Sequence, residues 1–135
     1  MESVLSHVVT KVTDEGLVIE IFDLEGSPLF DGDSARPTDM LINIAALLSD
    51  VLDVTKNQIA VDGYVHSYPL MMVKNPEWDL SSSRAQVMRQ LLENKGMSTD
   101  RISRISGHAD RKPATADPAA IRNNRVEVIL LRKNR

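Results

Sequence analysis

Few residues in this 135-residue chain could carry out chemistry. It has three histidines and no cysteine, which removes disulfide frameworks, thiolate metal sites and cysteine nucleophiles together. His66, His108 and Asp110 are the groups that could gather as metal ligands for a hydrolase. No His-x-x-x-His or carboxylate-histidine helix spacing joins them, and no Gly-x-Ser-x-Gly elbow occurs. Catalysis is therefore not expected, and neither is a metal or a cofactor. Recognition of an anion is better provided for. Arg84 stands three residues after Ser81, at what reads as the first turn of a helix, where free backbone N–H groups and the positive helix end favour a negative charge.

The elements around these residues are those of one ordinary domain. The length suffices to bury a core without staples. The net charge of −3 is small, with acids and bases interspersed, so no nucleic-acid partner is expected, and the tail Arg132-Lys133-Asn134-Arg135 reads as a solvated terminus. No apolar run approaches the roughly 20 residues of a membrane helix, and no secretory signal is visible.

Along the chain, Lys11 to Thr13 and Leu17 to Phe22 are β-prone runs flanking the turn Asp14-Glu15-Gly16. Asp23 to Pro37 is loop-like, but its apolar pair Leu29-Phe30 should tuck into the core. Thr38 is placed to cap a helix whose apolar stripe is Leu41, Ile44, Ala45, Leu48, Val51 and Leu52. Ile59 to Val65 reads as a central strand. A long connection from Ser67 to Glu77 follows, carrying the thioether pair Met71-Met72. Ser81 is a natural cap for a second helix with Ala85, Met88, Leu91 and Leu92 on its core face, stopped by Gly96. Arg101 to Gly107 is a strand, Gly107 to Asp117 a loop, Pro118 to Ile121 one helical turn, and Val126 to Leu131 a final strand. Trp78 and Phe30 are expected in the core. The architecture is α+β: a two-layer sandwich of about four mixed strands with two main helices on one face. A single domain fills residues 1–135, with its core at about 17–131, an N-terminal strand or linker before it and a short tail after it.

Five ordered blocks resemble the OmpA-like peptidoglycan-binding family. Leu29-Phe30-Asp31-Gly32-Asp33-Ser34-Ala35 is similar to the family's Leu-Phe-x-x-Gly-Ser-Ala, with Asp33 where glycine is usual. Gly63-Tyr64-Val65-His66 stands where the family has Gly-His-Thr-Asp. Leu80-Ser81-Ser82-Ser83-Arg84-Ala85 fits Leu-Ser-x-x-Arg-Ala, and the preceding Trp78 resembles the MotB-type flagellar stator branch in particular. Gly107-His108-Ala109-Asp110 with Pro113, and Asn123-Asn124-Arg125-Val126-Glu127, resemble the closing blocks Gly-x-Gly-Glu and Asn-Arg-Arg-Val-Glu.

The resemblance implies a non-catalytic anchor of the flagellar motor. Such a domain is periplasmic, dimeric, and carried by an inner-membrane protein whose N-terminal membrane helix, absent from this sequence, meets a MotA-like channel partner. The implied ligand is the diaminopimelate-type stem peptide of peptidoglycan, and the implied site is Arg84, His66, Ser67, Ser81 and Arg125. In the family an arginine fork holds the ligand's carboxylate and an aspartate pairs with its ammonium. Arg84 supplies the first half. His66 occupies the aspartate position, and histidine brings no negative charge there. Exchanging a charge-assisted hydrogen bond for a neutral one costs on the order of 1–2 kcal/mol, roughly ten-fold in affinity. Other uses stand beside these: Arg84 bracing a loop or pairing with Glu77 or Asp79, and Arg125 clamping loop carbonyls. The alternative functions are an anchor in another envelope protein, or a domain that has given up the ligand and acts through dimerisation or a protein partner.

Overall fold

Thr38 begins the first helix as its residue type predicts, with Oγ1 accepting the Leu41 N–H at 3.4 Å. That helix, α1, spans Asp39–Leu52 and buries Leu41, Ile44, Ala45, Leu48 and Leu52. Val51 was expected on the same stripe but is 52% exposed. At 3.6 residues per turn it lies about 80° round the axis from Leu41, at the edge of the buried sector. The computed structural model describes residues 4–67 and 77–132. Met71-Met72 lies outside the described residues.

The strands are β1 (Val8–Thr13), β2 (Gly16–Phe22), β3 (Ile59–Tyr64), β4 (Ile102–Gly107) and β5 (Arg125–Leu131), and the second long helix is α2 (Glu77–Asn94). They form one five-stranded sheet in the order β1-β2-β5-β3-β4. All neighbours are antiparallel except β3 and β4, which run parallel with α2 as their crossover. This is the expected two-layer α+β arrangement, with the hairpin strand β1 completing five.

Alternation along the strands divides the sheet's two faces. Ile19, Ile21, Ile59, Val61, Val126 and Val128 face the helices and pack with α1 and with Ala85, Met88 and Leu92 of α2. Val18, Ala60 and Ile129 form a small apolar patch on the other face, where charged side chains share the surface. Leu29 and Phe30 close the main core, being only 1% and 2% exposed.

Two further local expectations differ from the structure, and a third is met in part. Ser81 does not cap α2: the helix already includes Glu77, and the Ser81 hydroxyl bonds back to the Trp78 carbonyl at 3.1 Å. Trp78 is half exposed instead of buried, with the Arg111 guanidinium 5.5 Å from its ring centre. The turn expected from Pro118 is there as one hydrogen-bonded turn, the Ala120 N–H donating to the Asp117 carbonyl at 3.1 Å, and a separate 3₁₀ turn follows at Ile121–Asn123. The Asn123 side chain accepts the N–H groups of Ala114 and Thr115 and donates to the Asp117 carbonyl.

Arg101, just before β4, ties the layers together. Its guanidinium donates to the Leu52 carbonyl at 2.8 Å and twice to the Asn57 carbonyl, satisfying groups exposed where α1 ends.

Candidate functional site

The N-terminal half of α2 rests directly on the ends of β3 and β4. Gly63 and Gly107 are register partners there. A Cβ on Gly63 would collide with the Ser81 carbonyl, and one on Gly107 with the Ser82 amide and the Ser81 and Ser82 hydroxyls. Absence of a side chain at both positions is what lets the helix approach to backbone contact.

From this contact the loops after β3 and β4 are joined to each other. The His108 N–H donates to the Gly63 carbonyl, and the Val65 N–H to the Ala109 carbonyl, each at 2.9 Å. Ala109 adopts a left-handed φ of +54° and is 1% exposed, and its N–H donates to Ser81 Oγ at 2.9 Å. Ser67 completes the join: its N–H reaches the Pro118 carbonyl at 2.8 Å, and its hydroxyl donates to Asp110 Oδ2 at 2.7 Å. The His66 N–H donates to Asn124 Oδ1 at 2.8 Å, and His66 Nδ1 lies 2.9 Å from the Ser67 carbonyl.

Asn124 extends the network inward. Its side-chain amide donates to Asp23 Oδ2 at 3.1 Å, while Asp23 Oδ1 accepts the Leu29 N–H at 2.9 Å. Burial pushes the Asp23 carboxyl above the ordinary range, and these two donors oppose the shift. Asp23 and Asn124 thus hold the start of the Leu29 block against the loop after β3 that carries His66.

Arg84 is 4% exposed. It lies seven residues beyond Glu77, about two turns into α2, so the free N–H groups of the first turn do not reinforce it as expected. Nε donates to the Ser34 carbonyl at 2.9 Å and Nη2 to the Gly32 carbonyl at 3.0 Å, with the guanidinium 4.7 Å from the Phe30 ring centre. The arginine therefore braces the Leu29-to-Ala35 block.

Arg125 belongs elsewhere. Its side chain lies on the sheet face away from the helices, donating to Glu127 Oε2 at 3.0 Å, to the Lys112 carbonyl at 2.7 Å and to the Asn123 carbonyl. This is the loop clamp that its position before a strand allowed. Around it runs an open groove of about 930 Å³. Glu20, Glu127 and Asp62 lie side by side across β2, β5 and β3. Each is buried and has a cation: Arg122 for Glu20, Arg125 for Glu127, Arg104 for Asp62. Tyr64 sits between the Arg125 guanidinium at 4.0 Å and the stacked ring of His108 at 4.7 Å. Burial, aided by the Glu127 and Asp62 charges, pushes its phenol far above the ordinary range.

Of the five residues expected to form one site, the structure brings together His66, Ser67 and Ser81, with Arg84 a turn further along α2. Asp110 and Asn124 join them without having been singled out for that place. The adjacent Asn123-Asn124 pair was the available signal, since such side chains commonly bond nearby backbone groups. His66, His108 and Asp110 do not gather. Among the described residues no group of three or more His, Cys, Asp and Glu is placed to hold a metal ion.

The OmpA family model matches residues 29–127, which include every element of this end of the molecule. The chain belongs to the OmpA family. Motility protein B of Escherichia coli (strain K12) is 28% identical over 135 residues, covering 94% of this chain and 42% of that protein. The chain thus spans about two fifths of the length of that curated relative. The periplasmic domain of Helicobacter pylori MotB shares the fold, with a TM-score of 0.78 at 18% identity over 94% of this chain and 83% of that one. The cell wall anchor of the T6SS from Pseudomonas aeruginosa has a TM-score of 0.73 at 28% identity, covering 95% of this chain and 90% of that one.

Proposed function

We propose that this OmpA-family domain is a non-catalytic anchor that grips the stem peptide of peptidoglycan and holds a flagellar stator complex to the cell wall. The similarity to motility protein B across nearly the whole chain carries the reading. Arg84, fixed between the Leu29 block and α2, is the group for the ligand's carboxylate, and Ser67, His66 and Ser81 shape the neighbouring loops. Arg125 serves the fold, holding the Lys112 carbonyl on the sheet face, and takes no part in the grip. In this reading the domain is periplasmic and dimeric. It joins a MotA-like channel partner through an N-terminal membrane helix outside this sequence. No described helix is long and apolar enough to cross a membrane.

The test is co-sedimentation with purified insoluble peptidoglycan, comparing the unaltered domain with Arg84→Lys. Lysine keeps the charge but loses the planar fork, so a folded variant should bind about ten-fold more weakly. An unaltered domain that stays in the supernatant would overturn the anchor reading.

A second assignment draws on the T6SS wall anchor, which is as similar in sequence as motility protein B. It keeps the wall ligand and changes the machine. Deletion of the gene decides between them: loss of swimming with an assembled flagellum supports the stator, and unchanged swimming supports another envelope complex.

A further inference from the structure

Position 66 lacks the carboxylate that would meet an ammonium group, and the loops described above bring a carboxylate from elsewhere to its neighbour. We infer that Asp110 supplies the negative half of the ligand site, accepting the ligand's ammonium in place of a residue at position 66. This rests on the wall-binding reading and names the residue that completes it.

Three observations support it. First, placement: the His108–Gly63 and Val65–Ala109 hydrogen bonds align the two loops so that Asp110 reaches Ser67, the residue after His66, at 2.7 Å. Second, rigidity: the adjoining Ala109 is buried and tied to Ser81 of α2, so the carboxylate is fixed relative to the helix that carries Arg84. Third, charge: among the described residues Asp110 receives the Ser67 hydroxyl and forms no ion pair, whereas Glu20, Asp62 and Glu127 each have an arginine. A carboxylate offers about four acceptor positions and the hydroxyl occupies one. The remaining oxygen, Oδ1, can accept from an ammonium in a charge-assisted bond.

The chemistry selects a primary amine that also carries a carboxylate within reach of Arg84. A diamino-acid side chain with a free amino group fits, and its N-acetylated form does not, because acetylation removes both the charge and two donors.

Asp110→Asn tests this with little disturbance, since the amide oxygen can still accept from Ser67. Sedimentation would be measured on native peptidoglycan and on peptidoglycan whose free amines have been acetylated. The unaltered domain should bind the native wall about ten-fold better than the acetylated one. Asp110→Asn should lose that preference, binding both at the weaker level, and His66→Asp added to Asp110→Asn should restore it. Asp110→Asn binding the native wall as well as the unaltered domain overturns the inference while leaving the anchor reading intact. Equal weakening of Asp110→Asn on both walls, matched by Ser67→Ala, also overturns it, since Asp110 would then act only by holding the Ser67 loop. If the unaltered domain binds neither wall, the anchor reading fails and this inference falls with it.

Discussion

Charge is handled in opposite ways on the open sheet face and at the α2 end of the molecule. On the sheet face, acids are buried beside arginines, so that Glu20, Glu127 and Asp62 are neutralised within the fold. At the α2 end, Arg84 donates to the carbonyls of Gly32 and Ser34, and Asp110 accepts the Ser67 hydroxyl. The first arrangement spends its electrostatics internally and belongs to stability. In the reading proposed above, the second is where a zwitterionic ligand is met. A large charged groove is thus not by itself the better candidate site.

The comparison breaks most visibly if Arg125 proves dispensable. Arg125→Ala leaves the buried Glu127 without its hydrogen-bonded cation, and the loss of unfolding free energy in urea should be about 3–5 kcal/mol. Replacing both partners, as Arg125→Met with Glu127→Leu, should cost clearly less than the single change, because no lone buried charge remains. Wall binding per folded molecule should stay unchanged in both. A cost below 1 kcal/mol for Arg125→Ala, or a specific loss of binding, would erase the division between the regions.

A smaller effect sharpens the comparison from the other side. Gly63→Ala puts a methyl group against the Ser81 carbonyl of α2, and such overpacking costs about 1–3 kcal/mol. Here stability and wall binding should fall together, since the displaced helix carries Arg84. Thermal melting and sedimentation on the same preparation would show whether the two are coupled.

The least effect belongs to the rim of the sheet face. A hydrogen bond from Arg104 holds the Glu15 carboxyl below its ordinary range. Its folded-state pKa is depressed, so the pair's contribution is present above the ordinary carboxylate pKa and fades as pH falls through the lowered value. Both side chains are substantially exposed, and solvent screening limits the pair to about 0.5 kcal/mol. Glu15→Gln should therefore shift the urea midpoint slightly at neutral pH and not at all in strong acid.

Much of the fold was legible because its elements are locally consistent. The α1 stripe, the Thr38 cap and the β-prone runs all depend on neighbours a few residues apart. What escaped depends on distant partners. Ser81 has the residue type of a cap, but its hydroxyl accepts from Ala109, 28 residues later. Trp78 has the apolar area of a core residue, yet it lies at an exposed end beside Arg111. Within the candidate site, Arg84 was legible from its motif, and its bracing of a loop was foreseen as one use among others. Asp110 was noticed as a possible metal ligand and as the end of the Gly107-His108-Ala109-Asp110 block, not as a partner of Ser67. Its link to Ser67 spans 43 residues and arises from the parallel pairing of β3 with β4, a relation that no local pattern records.

The backbone contact of α2 with Gly63 and Gly107 has a bearing on how such a domain could acquire a new ligand. Where a side chain separates helix from sheet, exchanging a larger residue for a smaller one can slide the helix and reshape a pocket by degrees. Here there is no spacer to exchange, so the frame offers no gradual adjustment. In the proposed reading, changes of preference without loss of stability then fall to the loops at His66-Ser67 and His108 to Arg111, one substitution at a time. Transplanting those two short segments between relatives should move ligand preference with them.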